Sequence, residues 1–193
     1  NYTIILSTNN TLTDPTPIDP NANWIYTLPA NYTLSNIAVA NSSLANLNFG
    51  LYNGSRVSGK VINDNGLNGA PSNANDGILN AAETGIAGAT VSLVNSGGTT
   101  TYDTATTDSG GNFALYTNIA SVNPLWIRET NLAGYLSVNA NVGNTGGTYT
   151  IAGDYISFAY TRYGNNTTGG YRNVIFSDVL DNTFMPASQG QSN

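Results

Sequence analysis

The stretch Ala89–Thr117, ATVSLVNSGGTTTYDTATTDSGGNFALYT, holds three strand-like runs separated by two glycine-paired breaks. ATVSLVN (89–95), TYDTATT (101–107) and NFALYT (112–117) are rich in Val, Thr, Tyr, Leu and Phe. Branched and aromatic side chains of this kind fit a pleated, half-buried surface. NSGG and TDSGG between the runs supply glycine, which adopts positive φ without steric cost, so both breaks predict tight hairpins.

The same rhythm runs along the whole chain. Upstream lie YTIIL (2–6), WIYTL (24–28), YTLSNIAVA (32–40), LNFGLY (47–52) and VSGKVIN (57–63). Downstream lie LWIRET (125–130), YLSVNA (135–140), YISFAYTRY (155–163) and YRNVIFSDVL (171–180). Many short strands with Gly- and Asn-rich connections predict an all-β chain folded as an antiparallel β-sandwich. Strong helix formers are scarce, so helix is expected to stay within a turn or two.

Composition narrows the function. With 193 residues the chain can form one large domain or two small ones, each with a real core. It has no His and no Cys, which removes the common triads, thiol nucleophiles and zinc sites. A facing carboxylate pair of the glycosidase kind remains chemically open, but nothing in the sequence points to one, and no enzyme is expected. Five basic residues cannot build a phosphate-neutralising surface, so nucleic acid is not an expected partner. No run approaches the ~20 apolar residues of a membrane-spanning helix. NYTIILSTNN lacks a basic n-region, so no signal peptide is expected and the chain reads as a mature or excised piece. Abundant Asn and Thr, a single lysine and a net charge of −6 suit a secreted or cell-surface protein.

Only 8% of the residues are charged, yet DNGLNGAPSNANDGILNAAE (64–83) gathers three acids and five asparagines with no lysine or arginine. A hard dication such as calcium takes six to eight oxygens from carboxylates, amide and backbone carbonyls, and water. In the compact half, NANDGILNAAE, Gly77 would make the sharp turn, the Ile78 carbonyl would face the ion and Glu83 would close the ring. Asp76 and Asn80 also fall on ligand positions of the D-x-N-x-N-G-x-x-D-x-x-E spacing. Ser72 and Ala74 occupy the first and third positions, so Asp64 and Asn65, folding back, are candidates for the missing ligands, as is Asp108 in TTDSGG. An Asn/Gly-rich surface loop with incidental acids is the simpler alternative.

Four separated motifs keep a recognisable order: SGKVINDNG, NDGILNAAETGIAGATVSLVN, TATTDSGGNFALYT and LWIRETNLAGY. Over about residues 56–140 they resemble the B-type repeat domain of serine-aspartate repeat surface proteins, related to the collagen-adhesin B-type domain. That resemblance implies a prealbumin-like, Ig-like sandwich in a cell-surface stalk or adhesin stiffened by calcium, without catalysis. Residues 1–55 and 141–193 lie outside it and are expected to complete a second strand-built region together. Some members of the family carry a self-formed Lys–Asn isopeptide bond assisted by a buried Glu. By that likeness Lys60, Glu129 and a late asparagine such as Asn139 or Asn173 are candidates, although Lys60 is about two residues out of step. An exposed lysine and a turn-anchoring glutamate are the alternative.

At the N-terminus, Tyr2, Ile4, Ile5 and Leu6 form an apolar strand ahead of a proline-rich tether at Asp14–Pro20. Such a strand could be donated to a neighbouring subunit, building head-to-tail filaments, or could pair within its own chain. The expected function is structural: a calcium-rigidified building block of a surface filament, stalk or adhesin, partnered by copies of itself or by neighbouring repeats. The alternative is a monomeric adhesin module that binds carbohydrate, through its tyrosines, or a host or matrix protein.

Overall fold

The computed structural model describes residues 1–6, 23–29, 33–39, 43–66, 74–80 and 83–181. The proline-rich tether and much of the insertion between Gly66 and Ala74 lie outside the described residues. Within them the chain is all-β, and helix is confined to single 3-10 turns at Gly143–Thr145, Ile151–Gly153 and Asn166–Thr168. Two compact units are present.

The larger unit comprises Val57–Leu115, Ser121–Tyr160 and Tyr171–Asn193. One sheet orders β12 (Thr148–Thr150), β13 (Tyr155–Tyr160), β10 (Val122–Thr130), β7 (Thr90–Asn95) and β8 (Thr101–Thr106), antiparallel throughout. The other orders β11 (Tyr135–Asn141), β14 (Tyr171–Leu180), β5 (Ser55–Asn63) and β6 (Thr84–Gly85), with β9 (Asn112–Thr117) also on β5. The fold is a β-sandwich, as its alternating strands predict. β5 and β14 are a parallel exception, in register from Val57↔Tyr171 to Asn63↔Asp178 with one irregularity between Tyr171 and Val174.

Period-two alternation explains the core. Val91 and Leu93, Leu125 and Ile127, Ile156 and Phe158, and Val174 and Phe176 are at most 2% exposed. Each such side chain contributes about 1.5–3 kcal/mol by leaving water. On β5, Gly59 lies between buried Val57 and Val61. A Cβ there would sit 2.0 Å from the Val174 carbonyl oxygen, so only glycine lets the two strands approach this closely.

Two expectations are corrected. TDSGG is a tight turn, with the Asp108 N–H on Asn112 O (3.0 Å), but it carries the chain from β8 in one sheet to β9 in the other. Gly111, at φ +74°, passes so close to Val61 O that a Cβ would lie 2.3 Å from it. Of residues 141–181, only 161–170 group with the N-terminal segment. β12, β13 and β14 complete the two sheets of the sandwich, which therefore runs past residue 140.

The smaller unit comprises Asn1–Arg56, Tyr116–Ala120 and Thr161–Gly170. β1 (Tyr2–Ile5) pairs antiparallel with β3 (Thr33–Ile37), and β2 (Trp24–Leu28) with β4 (Gly50–Asn53). The strand expected to be available for donation thus has an in-chain partner: Ile4 faces Leu34 and Ile5 faces Thr33. Polar contacts fasten the 161–170 segment to this unit. The Tyr163 N–H donates to Ser55 Oγ (2.8 Å), Asn166 Nδ2 to Gly54 O (2.8 Å), and Arg56 Nη2 to Gly169 O (2.8 Å).

Candidate functional site

The loop after β5 is organised by its own carboxylates. Asp64 is fully buried, with Oδ1 accepting the Asn75 N–H (2.7 Å) and Oδ2 the Gly77 N–H (2.8 Å). Glu83, 7% exposed, accepts the Gly66 N–H on Oε1 (3.1 Å) and the Asn80 N–H on Oε2 (2.8 Å). Gly77 makes the turn, at φ +76°, and the side chain of Asn139 on β11 donates to Asn75 O (3.0 Å). These bonds draw both ends of the excursion onto the sandwich.

Among the expected calcium ligands, Asp76, Ile78 and Asn80 converge. Asp76 Oδ2 and the Ile78 carbonyl each accept from Asn80 Nδ2 at 3.1 Å, while Asp76 Oδ1 accepts the Ile78 N–H (2.7 Å). The Asp76 carboxylate and the Ile78 carbonyl are hard oxygen ligands of the kind calcium takes, whereas Asn80 here presents its amide nitrogen to them and would serve an ion only with its Oδ1 turned inward. Asp64 and Glu83 serve other parts of the loop, although each carboxylate oxygen has a second lone pair free for an ion. Asn65 stands beside Asp64 at the end of β5. Asp108 is spent on its turn, where Oδ1 accepts the Gly110 and Asn112 N–H groups (2.8 Å each) and the Asn112 side chain binds both oxygens. The Asn112 side chain, more than any other group, holds its pKa below the ordinary carboxylate range. Asp108 is a turn anchor.

Each of the isopeptide candidates has contacts of its own. The Lys60 ammonium donates to Gly110 O (3.0 Å). Asn173 takes a left-handed conformation (φ +61°) in the irregularity where β14 shifts against β5. Glu129 lies in a different environment altogether, one that the reading of the residues missed.

On β10, Leu125, Ile127 and Glu129 point inward in turn; on β14, Val174, Phe176 and Asp178 do the same. Glu129 is 2% exposed, Asp178 0% and Asp154, just before β13, 9%. One carboxylate oxygen from each lies within 4.8 Å of the other two. The Glu129 N–H donates to Asp154 O (3.0 Å), and Asp154 takes a left-handed conformation (φ +46°) that asparagine and aspartate tolerate best. The Tyr149 hydroxyl donates to Asp154 Oδ1 (2.9 Å). Both oxygens of Glu129, both of Asp178 and Oδ2 of Asp154 have no hydrogen-bond donor.

Crowded burial of this kind disfavours ionisation. Burial first, then the neighbouring Asp154 carboxyl and the charges of Asp178 and Asp154, pushes Glu129 up to about 11. Burial and the Asp154 charge push Asp178 up to about 7. Burial, followed by the Asp154 charge, raises Tyr149 as well.

Several of the tyrosines expected as a carbohydrate platform have other packing partners. Tyr26, Tyr160 and Tyr171 are buried, and Tyr155 stacks on Trp126 with ring centres 4.0 Å apart. No helix among the described residues is long and apolar enough to cross a membrane. Compared with protein-family models and with curated proteins, the chain matches none.

Proposed function

We propose that this chain is an extracellular load-bearing module, a building block of a surface fibre, stalk or adhesin whose acidic loop is held in one shape by calcium. The parallel pairing of β5 with β14 carries the reading. Force applied through the N-terminal end of β5 and the C-terminal end of β14 pulls two parallel neighbours in opposite directions along their length. Their ladder hydrogen bonds are then strained together, in shear, instead of opening one at a time. A fold that serves only to present a binding surface has no need of that arrangement.

Asp76, the Ile78 carbonyl and Asn80, with Asp64 and Glu83 at the loop's two anchors, are the residues that would hold the loop ion. When bound, it supplies positive charge that turns the crowding of acids from a cost into an attraction. Asp64 and Glu83 do their work through backbone N–H groups, fixing the loop against β5 and β11. The all-β architecture, the scarcity of lysine and the resemblance of residues 56–140 to surface-protein repeats agree with an exposed mechanical role.

Single-molecule pulling on the full chain, held by its two ends, tests the reading. In calcium the larger unit is expected to resist and then give way in one abrupt step, at a force that drops after chelation. Gradual extension at low force would contradict a load-bearing role; an unchanged rupture force after chelation would remove calcium from it.

A further inference from the structure

We propose that Glu129, Asp154 and Asp178 hold one hard divalent cation of calcium's size, clamping the two sheets of the sandwich to each other. It is separate from the loop ion. Acids often cluster on surfaces without binding anything, but here the side chains of Glu129 and Asp178 are 2% and 0% exposed and none of their four oxygens has a donor. Buried polar groups are almost always satisfied, so these oxygens face a partner that brings positive charge with it.

The dimensions admit a calcium ion. Oxygens across a calcium ion stand roughly twice the 2.3–2.6 Å bond apart, about 4.6–5.2 Å, and around magnesium only about 4.0–4.2 Å. One carboxylate oxygen from each of the three residues lies within 4.8 Å of the others, inside the calcium limit. Magnesium also keeps most of its water, which a site this enclosed does not favour. Every ligand is a carboxylate oxygen, and the chain has no His or Cys to recruit zinc or copper. Tyr149 and the Glu129–Asp154 backbone bond supply the outer contacts that fix ligand orientation. Glu129 and the turn at Asp154 belong to one sheet and Asp178 to the other, on the strand paired with β5. One ion would tie the sheets beside the strand pair that bears the load.

Because the site is enclosed, the ion enters as the chain folds. The full chain is therefore unfolded in denaturant with chelator, refolded with or without calcium, desalted, and its bound metal counted by elemental analysis. Asp178→Asn and Glu129→Gln are each compared with wild type and with the loop variant Asp76→Asn. The proposal expects wild type to retain one ion per chain more than either cluster variant, and Asp76→Asn to keep that ion. Both cluster variants should fold, and in chelator Asp178→Asn should melt no lower than wild type, because it replaces a buried acid crowded by two others. A cluster variant with the full wild-type ion count overturns the proposal, as does a wild type that refolds in calcium with no tightly held ion. Loss of metal in Asp76→Asn alone would keep the loop site and reject this one, and none of these outcomes touches the shear arrangement of β5 and β14.

Discussion

Replacing Asp64 with alanine removes the group that fastens the long loop to the sandwich. Its two oxygens accept the Asn75 and Gly77 N–H groups at 2.7 and 2.8 Å, and the residue is fully buried. Hydrogen bonds to a charged group contribute about 1.5–3 kcal/mol each. Losing both, while leaving two N–H groups short of an acceptor, should cost on the order of 3–5 kcal/mol. For a unit of this size that corresponds to a fall in Tm on the order of 10 °C. Asp64→Asn keeps one acceptor and turns its amide donors towards an N–H, so about half of that loss is expected. Urea unfolding in chelator gives the free energy without any contribution from bound metal, and amide hydrogen exchange reports on Asn75 and Gly77 directly. Both amides should lose protection in Asp64→Ala. A loss below about 1 kcal/mol with both amides still protected would refute the argument that this carboxylate organises the loop.

In metal-free protein the buried acids should make stability fall as pH rises. The folded state raises Asp178 to about 7 and Glu129 to about 11 from ordinary values of 3.8 and 4.5. It therefore binds their protons more tightly than the unfolded chain does. That stabilisation is complete below the unfolded values and is lost as pH rises through the folded ones, so Tm in chelator should drop from about pH 5 through the Asp178 value of about 7 and go on dropping towards the Glu129 value of about 11, by a few kcal/mol of stability in all. With calcium present the drop should be reduced, because the ion favours the ionised acids; identical profiles in calcium and chelator would count against a cation there. Gly59→Ala should destabilise by about 1–3 kcal/mol or more, since its Cβ would meet the Val174 carbonyl and the Phe113 ring; wild-type urea unfolding would contradict the close approach of β5 and β14. Deleting Tyr2–Leu6 should leave the sedimentation behaviour unchanged, because β1 pairs with β3 in its own chain; polymers that vanish on deletion would restore strand donation.

Much of the fold was legible because period-two alternation is a local signal. WIYTL and YRNVIFSDVL begin and end as β2 and β14 do. Sheet assignment was not legible, because it depends on contacts far apart in sequence. TDSGG has hairpin chemistry but joins strands that pair with different partners, and β12–β14 close the first sandwich instead of opening a second. The loop's acids were found from composition, and Gly77 turns as its spacing predicts. Glu129 and Asp178 also left a signal: each continues an inward stripe, after Leu125 and Ile127 or after Val174 and Phe176. An acid in phase with a core marks a buried charge. Asp154 left none, because its place depends on a left-handed turn and on strands elsewhere in the chain.

The load-bearing account is tested most directly by pulling the same protein along two directions. The chain contains no cysteine, so attachment points can be introduced freely. Cysteines at Arg56 and Leu180 load β5 and β14 in shear, whereas cysteines at Asn65 and Leu180 pull the neighbouring ends of the same two strands apart. The account predicts a rupture force severalfold higher in the first geometry than in the second. Equal forces in the two would contradict it.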